Sequence, residues 1–395
     1  MKLLQIELDT KRIFGLDLLR AFAILFVVLG HGAHLLPEKA KQFIFSLPFP
    51  DGVSVFFVLS GFLIGGILIK VIENEQPSLK TLINFWTRRW LRTLPAYYLI
   101  LIVLIFLSIL FVDGFSFFKV LNYFIFSQNF NTPHPHFFIE AWSLSIEEWF
   151  YLLTPTFIFV LVGIFKFKPR NAVLTCIAVV ITATVIIRYY RYLTIPVTNE
   201  EIWGAVFRGQ VITRLDSLMF GVAGAYFAYY HSLNWSKYKN QTLAFGMIAI
   251  ILIAVLPRWL FPTSLFYHCN ISFIVSSFSI LLVLPFLSQL RLAGGRFYKF
   301  ITYTSLISYS MYLTHASIIM VFVVNKIDFL QSDNILIILT RFGFYWALTY
   351  LISILLYKYF ELPIMAKRNK IDRKGFEKKD HLKTGHQEIN ARTVI

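Results

Sequence analysis

The sequence predicts an all-α integral membrane protein, a bundle of about ten transmembrane helices around a polar cavity. Three observations point there. Of 395 residues, 57% are hydrophobic and only 15% charged, with a mean hydropathy of +0.66. The apolar residues gather in runs long enough to cross a bilayer. The basic residues cluster beside alternate runs, the pattern that orients membrane helices. A formal charge of +16 would otherwise suggest nucleic acid. Here the lysines and arginines flank apolar runs and fill a short tail, so membrane lipid is the expected partner and nucleic acid is not. Two cysteines, Cys176 and Cys269, exclude a disulfide framework and a cysteine-rich metal site, and no metal is expected.

In chain order the runs cover residues 13–35, 52–72, 93–112, 145–165, 171–190, 209–230, 242–260, 271–289, 301–324 and 335–357. An even number puts both termini on one side. Basic clusters at Lys80 to Arg92, Lys166 to Arg170, Arg291 to Lys299 and from Lys358 onward assign that side to the cytoplasm of a multi-pass protein of the cell (inner) membrane. The first run is long and carries Arg20 near its middle, so a cleaved signal is not expected. Residues 1–12 form a cytoplasmic N-terminus, 13–363 one transmembrane domain, and 364–395 a basic cytoplasmic tail expected to be disordered. No internal repeat and no soluble second domain is expected within these residues. The longest outer connection, Asp113 to Ala141, holds Pro133-His134-Pro135-His136, whose two histidines at i and i+2 are a weak metal signal.

Charged residues inside apolar runs mark the candidate site, because an ionised group at the bilayer centre costs about 2.5–3.5 kcal/mol on insertion scales. The stretch Phe14 to Leu36 carries Asp17, Arg20, His31 and His34. At 100° per residue, Arg20 and His31 leave one helical face, with Asp17 and His34 within roughly 60° of it. The plainer reading is that Asp17 and Arg20, at i and i+3, neutralise each other. The stretch Asp51 to Gly66 mixes small residues, Ser60 among them, into an apolar run, which suits close helix packing or a broken helix lining a cavity. Arg88, Arg89 and Arg92 precede Pro95, expected near the start of the next span. Arg89 and Arg92 share a face and suit phosphate oxygens, or else serve as a positive-inside stop.

Glu147 and Glu148 enter a span side by side, with Ser145 and Glu148 spaced as a capping box. Arg214 and Asp216 read as a charge-neutralising pair. Ser308, Tyr312 and His315 form one polar helical face.

Taken together, Arg20 with His31, GVSVFFVLSGFLI, RRWLRTLP, WSLSIEEWFY, TRLDSLMFG, SYSMYLTH and FELP occur in an order that resembles the acyltransferase 3 family of membrane acyltransferases, over about residues 13 to 363. The resemblance implies transfer of an acyl group, usually acetyl from acetyl-CoA, to a hydroxyl of a carbohydrate or lipid-linked glycan of the cell envelope. It matches Arg20 and His31 to the family's essential arginine and histidine, Arg89 and Arg92 to its Arg-x-x-Arg motif, and Glu147 to the glutamate of its WSL segment. Ser54 departs from the acidic residue that many members carry there. The soluble esterase-like extension of some members is not seen, so their two-domain chemistry is not carried over.

The chemistry of the residues is compatible with this. Imidazole takes a proton near neutrality, and Arg89 and Arg92 are placed to hold acyl-CoA phosphates from the cytoplasm. Arg20 is placed to hold a donor carbonyl or phosphate. A helix rise of 1.5 Å per residue sets His31 roughly 16 Å outward of Arg20. The competing class is a proton-coupled transporter or flippase using Asp17, Arg20, His31 and Glu147 as a relay. The charge asymmetry makes a topological prediction: single cysteines introduced within 113–141 should react with an impermeant reagent only from outside, and labelling only from within would reverse the orientation.

Overall fold

The computed structural model describes residues 12–366 except 49, 260–263, 293, 329–330 and 332–333, with no side chains described for 254–259. It is helical, and no strand occurs among the described residues. In chain order the helices are α1 (Phe14–Gly32), α2 (Glu38–Ser46), α3 (Gly52–Asn74), α4 (Leu79–Phe111), α5 (Ala141–Gly163), α6 (Pro169–Thr194), α7 (Glu200–Trp203), α8 (Leu215–Tyr230), α9 (Ser232–Lys237), α10 (Lys239–Trp259), α11 (Ser272–Leu287), α12 (Gly295–Thr314) and α13 (Ile335–Leu356). The expected tail from Lys367 lies outside the described residues.

Eight helical stretches among the described residues are long and apolar enough to cross a bilayer. The predicted runs 209–230 and 242–260 hold α8, of 16 residues, and α10, whose apolar part is described from Lys239 to Ile253. α8 is shorter than that length, whereas α10 itself runs over 21 residues to Trp259. For α8 the reason is local: the chain before Leu215 makes short π and 3-10 turns, and Asn129 Nδ2 donates to the Gly209 carbonyl at 2.6 Å. Elsewhere the helices are longer than hydropathy suggests. α4 runs unbroken through Pro95, which forfeits one backbone bond but does not start a new element. α5 starts at Ala141, so Ser145 and Glu148 are interior residues and the expected capping box does not form.

Inside and outside are distributed as a lipid solvent requires. Ile102, Phe106, Ile109 and Leu110 of α4 are exposed, whereas Asp17, Arg188, Arg214, Asp216, His315 and Glu361 are buried. The small residues of α3 serve packing and cavity together. Ser60 faces a cavity, while Gly61 lies against α8, where a Cβ would meet the Leu218 carbonyl oxygen at 1.9 Å. Gly221 of α8 returns the contact, since its Cβ would lie 2.1 Å from the Val58 carbonyl oxygen. With backbone on both sides, neither methyl fits without moving a helix.

Gly61→Ala and Gly221→Ala should therefore lower the thermal midpoint in detergent, by about 1–3 kcal/mol in stability. Gly66→Ala on the same helix meets nothing within 4 Å and serves as the control. Equal midpoints for Gly61→Ala and Gly66→Ala would remove the packing argument.

Candidate functional site

A cavity of about 320 Å³ opens among α1, α3, α4, α5 and α12. Arg12, Arg20, Arg89 and Arg92 line it against two carboxylates, Glu147 and Glu361, and its walls also include Ser60, Ser143 and Tyr312. It thus brings together seven of the residues singled out by sequence: Arg20, Ser60, Arg89, Arg92, Glu147, Ser308 and Tyr312. Arg88 is exposed and does not line it.

Within this cavity Arg89 donates to the Tyr151 hydroxyl, stacks over the Tyr151 ring at 4.1 Å and approaches Glu147 Oε2 at 3.9 Å. Tyr151 donates to Glu147 Oε2 at 2.9 Å and meets the Ser60 hydroxyl. Glu148 turns away from this network and accepts from Thr93 Oγ1 at 2.9 Å. The expected Asp17–Arg20 neutralisation does not occur. Asp17 accepts from Arg12 Nε at 2.8 Å and from Ser305 Oγ at 2.7 Å. Arg12 comes from the segment just before α1 and reaches Asp17 first, which leaves Arg20 facing the cavity with no hydrogen bond or ion pair among the described residues.

His31 lies outside the cavity wall, beyond its Tyr312 end. Its Nδ1 sits 2.7 Å from Nε2 of His315, and the ring of Tyr312 is 5.9 Å from that of His315. Helix α12 reaches His315 in regular register, its amide donating to the Met311 carbonyl, and widens into π turns over the stretch that follows to Val323. The tautomers follow from the partners. His315 Nδ1 lies 3.0 Å from the Met311 and Tyr312 carbonyls, which only accept, so it carries the hydrogen. In a neutral ring Nε2 then accepts, His31 Nδ1–H donates, and His31 Nε2 keeps its lone pair with no partner among the described residues. Behind this pair stands Glu140, at the N-cap of α5, with Oε1 3.8 Å from His315 Nδ1. Glu140 Oε1 accepts from the Ala316 and Ser317 amides at 2.9 and 2.8 Å, and Oε2 from the Ser317 hydroxyl. Burial pushes the Glu140 carboxyl up to about 7, with the Ser317 and Ala316 hydrogen bonds opposing. His34 is exposed in the 3-10 turn after α1, its ring 5.9 Å from that of Phe45, and makes no hydrogen bond to this chain among the described residues.

A second polar cluster corrects another expectation. Asp216 pairs not with Arg214 but with Arg188 of α6, at 2.6 Å with both side chains fully buried. Arg214 donates instead to Ser54 Oγ at 2.9 Å, so Ser54 is the arginine's acceptor at the position where an acidic residue is common. Asp51, one turn earlier, supplies the carboxylate, accepting from Ser54 Oγ at 3.0 Å and from Arg208 at 3.1 Å. In the outer loop, His134 Nε2 donates to the Phe138 carbonyl at 2.9 Å and burial lowers its pKa to about 4. No group of three or more His, Cys, Asp or Glu suited to a metal occurs among the described residues.

A family model described as an acyltransferase domain matches residues 13–358. This chain belongs to the acyltransferase 3 family. O-acetyltransferase OatA of Staphylococcus aureus (strain NCTC 8325 / PS 47) is 28% identical over 383 residues, covering 89% of this chain and 57% of that protein. Peptidoglycan O-acetyltransferase OatA of Listeria monocytogenes serovar 1/2a is 37% identical over 167 residues, 38% of this chain and 25% of that protein. The chain spans little more than half the length of the Staphylococcus relative. No solved structure matches it.

Sequence reasoning within this acyltransferase 3 chain missed Glu140, Arg12, Tyr151, Arg188 and Asp51. Glu140 had a signal, an acidic residue directly before an apolar run, but its partners lie about 176 residues away. The pairings also separate structural from functional arginines. Arg188→Ala strands Asp216 as a buried charge and should cost about 3–5 kcal/mol of stability. Arg20→Ala, which breaks no pair, should leave the thermal midpoint near that of the wild type; equal losses in the two would contradict the assignment.

Proposed function

We propose that the protein is a membrane O-acyltransferase that moves an acyl group, acetyl in the first instance, from cytoplasmic acyl-CoA to a hydroxyl of a cell-envelope carbohydrate. The family match and the names of the relatives support O-acetylation. The observation that carries the donor assignment is the cation-rich cavity whose far end adjoins the His31–His315 pair. Arg12, Arg89 and Arg92 hold the phosphates at one end, and unpaired Arg20 takes the thioester arm. The proposed arrangement is one transmembrane domain over 13–363, in the inner membrane, with residues 1–12 and the tail 364–395 cytoplasmic. The acceptor then approaches from the opposite face.

In this reading His31 Nε2 takes the proton of the acceptor hydroxyl as its oxygen bonds the thioester carbon. The tetrahedral adduct collapses, the C–S bond breaks, and the departing sulfur receives the proton from His31, leaving ester and free thiol. Glu140 positions His315, and His315 holds His31 in the tautomer whose basic nitrogen is free. An ionised Glu140 favours the protonated histidine pair, whereas a protonated one does not.

Thioester consumption by the purified protein tests the class, since a transporter or flippase leaves acetyl-CoA intact. His31→Ala should abolish transfer, by about 10²-fold or more, with folding and donor binding retained, and His34→Ala should be mild. An active His31→Ala variant removes the mechanism. Arg89→Ala and Arg92→Ala should raise the apparent KM for acyl-CoA, with Arg→Lys rescuing only in part; unchanged KM in both returns them to a topological role. Activity should rise with pH through about 7, where Glu140 loses its proton, and Glu140→Gln should lower kcat and erase that limb; a profile that keeps it excludes Glu140 as its source.

A further inference from the structure

A second cavity, of about 370 Å³, is lined by Asp51, Arg208, Arg214, Trp203, Ser272 and Ser276 among others. Its charges do not balance. Arg188 is matched by Asp216 and Arg208 by Asp51, at 2.6 and 3.1 Å. Arg214, 1% exposed, is left with one hydroxyl, Ser54, and with the ring faces of Phe273 and Phe57 at 4.3 and 5.5 Å. Its Nε is buried with no hydrogen-bond partner. The charges that act most strongly on Arg214 include these same four: Asp51, Asp216, Arg208 and Arg188. Within this group of described residues, three guanidiniums share two carboxylates. Asp51 stays committed to its role: burial pushes its carboxyl up, but Arg208, Arg214 and the Ser54 hydroxyl outweigh this and hold it below the ordinary value. A buried cation without a counter-charge is costly, and an incoming oxyanion offsets that cost.

The other walls suit a sugar ring. Trp203 lies flat on Phe273, at 5.7 Å and 3° between planes, so one indole face is covered while the residue lines the cavity. Ser272 and Ser276 lie one turn apart on α11; the Ser272 hydroxyl donates to the His268 carbonyl at 2.7 Å, which leaves its oxygen to accept, while that of Ser276 can do either. The wall formed by Asp51 and Arg208 is also within electrostatic reach of His31.

We propose that this cavity is the acceptor subsite and that it takes a carbohydrate bearing an oxyanion, carboxylate or phosphate, which Arg214 binds with Arg208 beside it. The acceptor role rests on the acyltransfer reading above; the anion preference rests on the charge count alone. An anionic lipid headgroup offers the same oxyanion, so the test separates the two sources.

Calorimetric titration of the full chain in detergent, with no donor present, compares cellobiouronic acid with cellobiose, its neutral twin. The acid is expected to bind about tenfold or more tightly, with the preference lost in Arg214→Gln and kept in part in Arg214→Lys. Should Arg214→Gln fail to fold, Arg208→Gln, at a side chain 35% exposed, carries the same comparison. Equal affinities for the two sugars, or an unchanged preference in the folded glutamine variant, overturns the proposal. So does native mass spectrometry in which bound phosphatidylglycerol is lost in Arg214→Gln but never displaced by the sugar acid, which makes this a lipid site. Acid binding without thioester consumption keeps the subsite and rejects the acyltransfer reading; thioester consumption without acid preference does the reverse.

Discussion

An ionised side chain inside an apolar bundle needs either a partner or a wet cavity, and the arrangement of this protein follows from how that demand is met. Asp17 is satisfied by Arg12, Asp216 by Arg188 and Asp51 by Arg208. The first pair is local in sequence, whereas the other two join separate elements of the chain. Two arginines, Arg20 and Arg214, are passed over, and each faces a cavity. In lipid such an excess is not a stabilising feature, so its persistence points to a bound anion.

The scaffold makes this possible by holding helices close where no charge is involved. Gly61 and Gly221 let α3 and α8 meet backbone to backbone. That contact leaves one face of α3, with Ser60, for the first cavity, while its N-terminal turn, with Asp51 and Ser54, serves the second. One helix is therefore a wall of both. The two polar sites stay separate because α3 is unbroken, although its small residues also suited a broken helix.

The histidine pair shows how a hydrogen-bond chain can set the chemistry of one nitrogen. Two backbone carbonyls fix the hydrogen on His315 Nδ1, His315 fixes the hydrogen on His31 Nδ1, and the lone pair remains at His31 Nε2. Glu140 adds a carboxylate behind the chain, held by two amides and a hydroxyl of the segment that carries His315.

Hydropathy and charge alone determined that this is a helical membrane protein, because a bilayer demands long apolar helices and the demand is local in sequence. Helical periodicity placed Arg20 on a polar stripe, and motif order marked Arg89, Arg92 and Glu147; all four line one cavity. Periodicity also put Tyr312 and His315 on one face. Which carboxylate meets which arginine was decided only by tertiary structure. Spacing favoured Asp17 with Arg20 and Arg214 with Asp216, but Arg12, folded back from the segment before α1, and Arg188, on the neighbouring α6, came closer. The Glu140–His315–His31 chain was equally invisible, since it joins three elements across some 284 residues of sequence. Local sequence registers the cost of burying a charge, whereas the partner that offsets it is chosen by whichever helix the fold lays alongside.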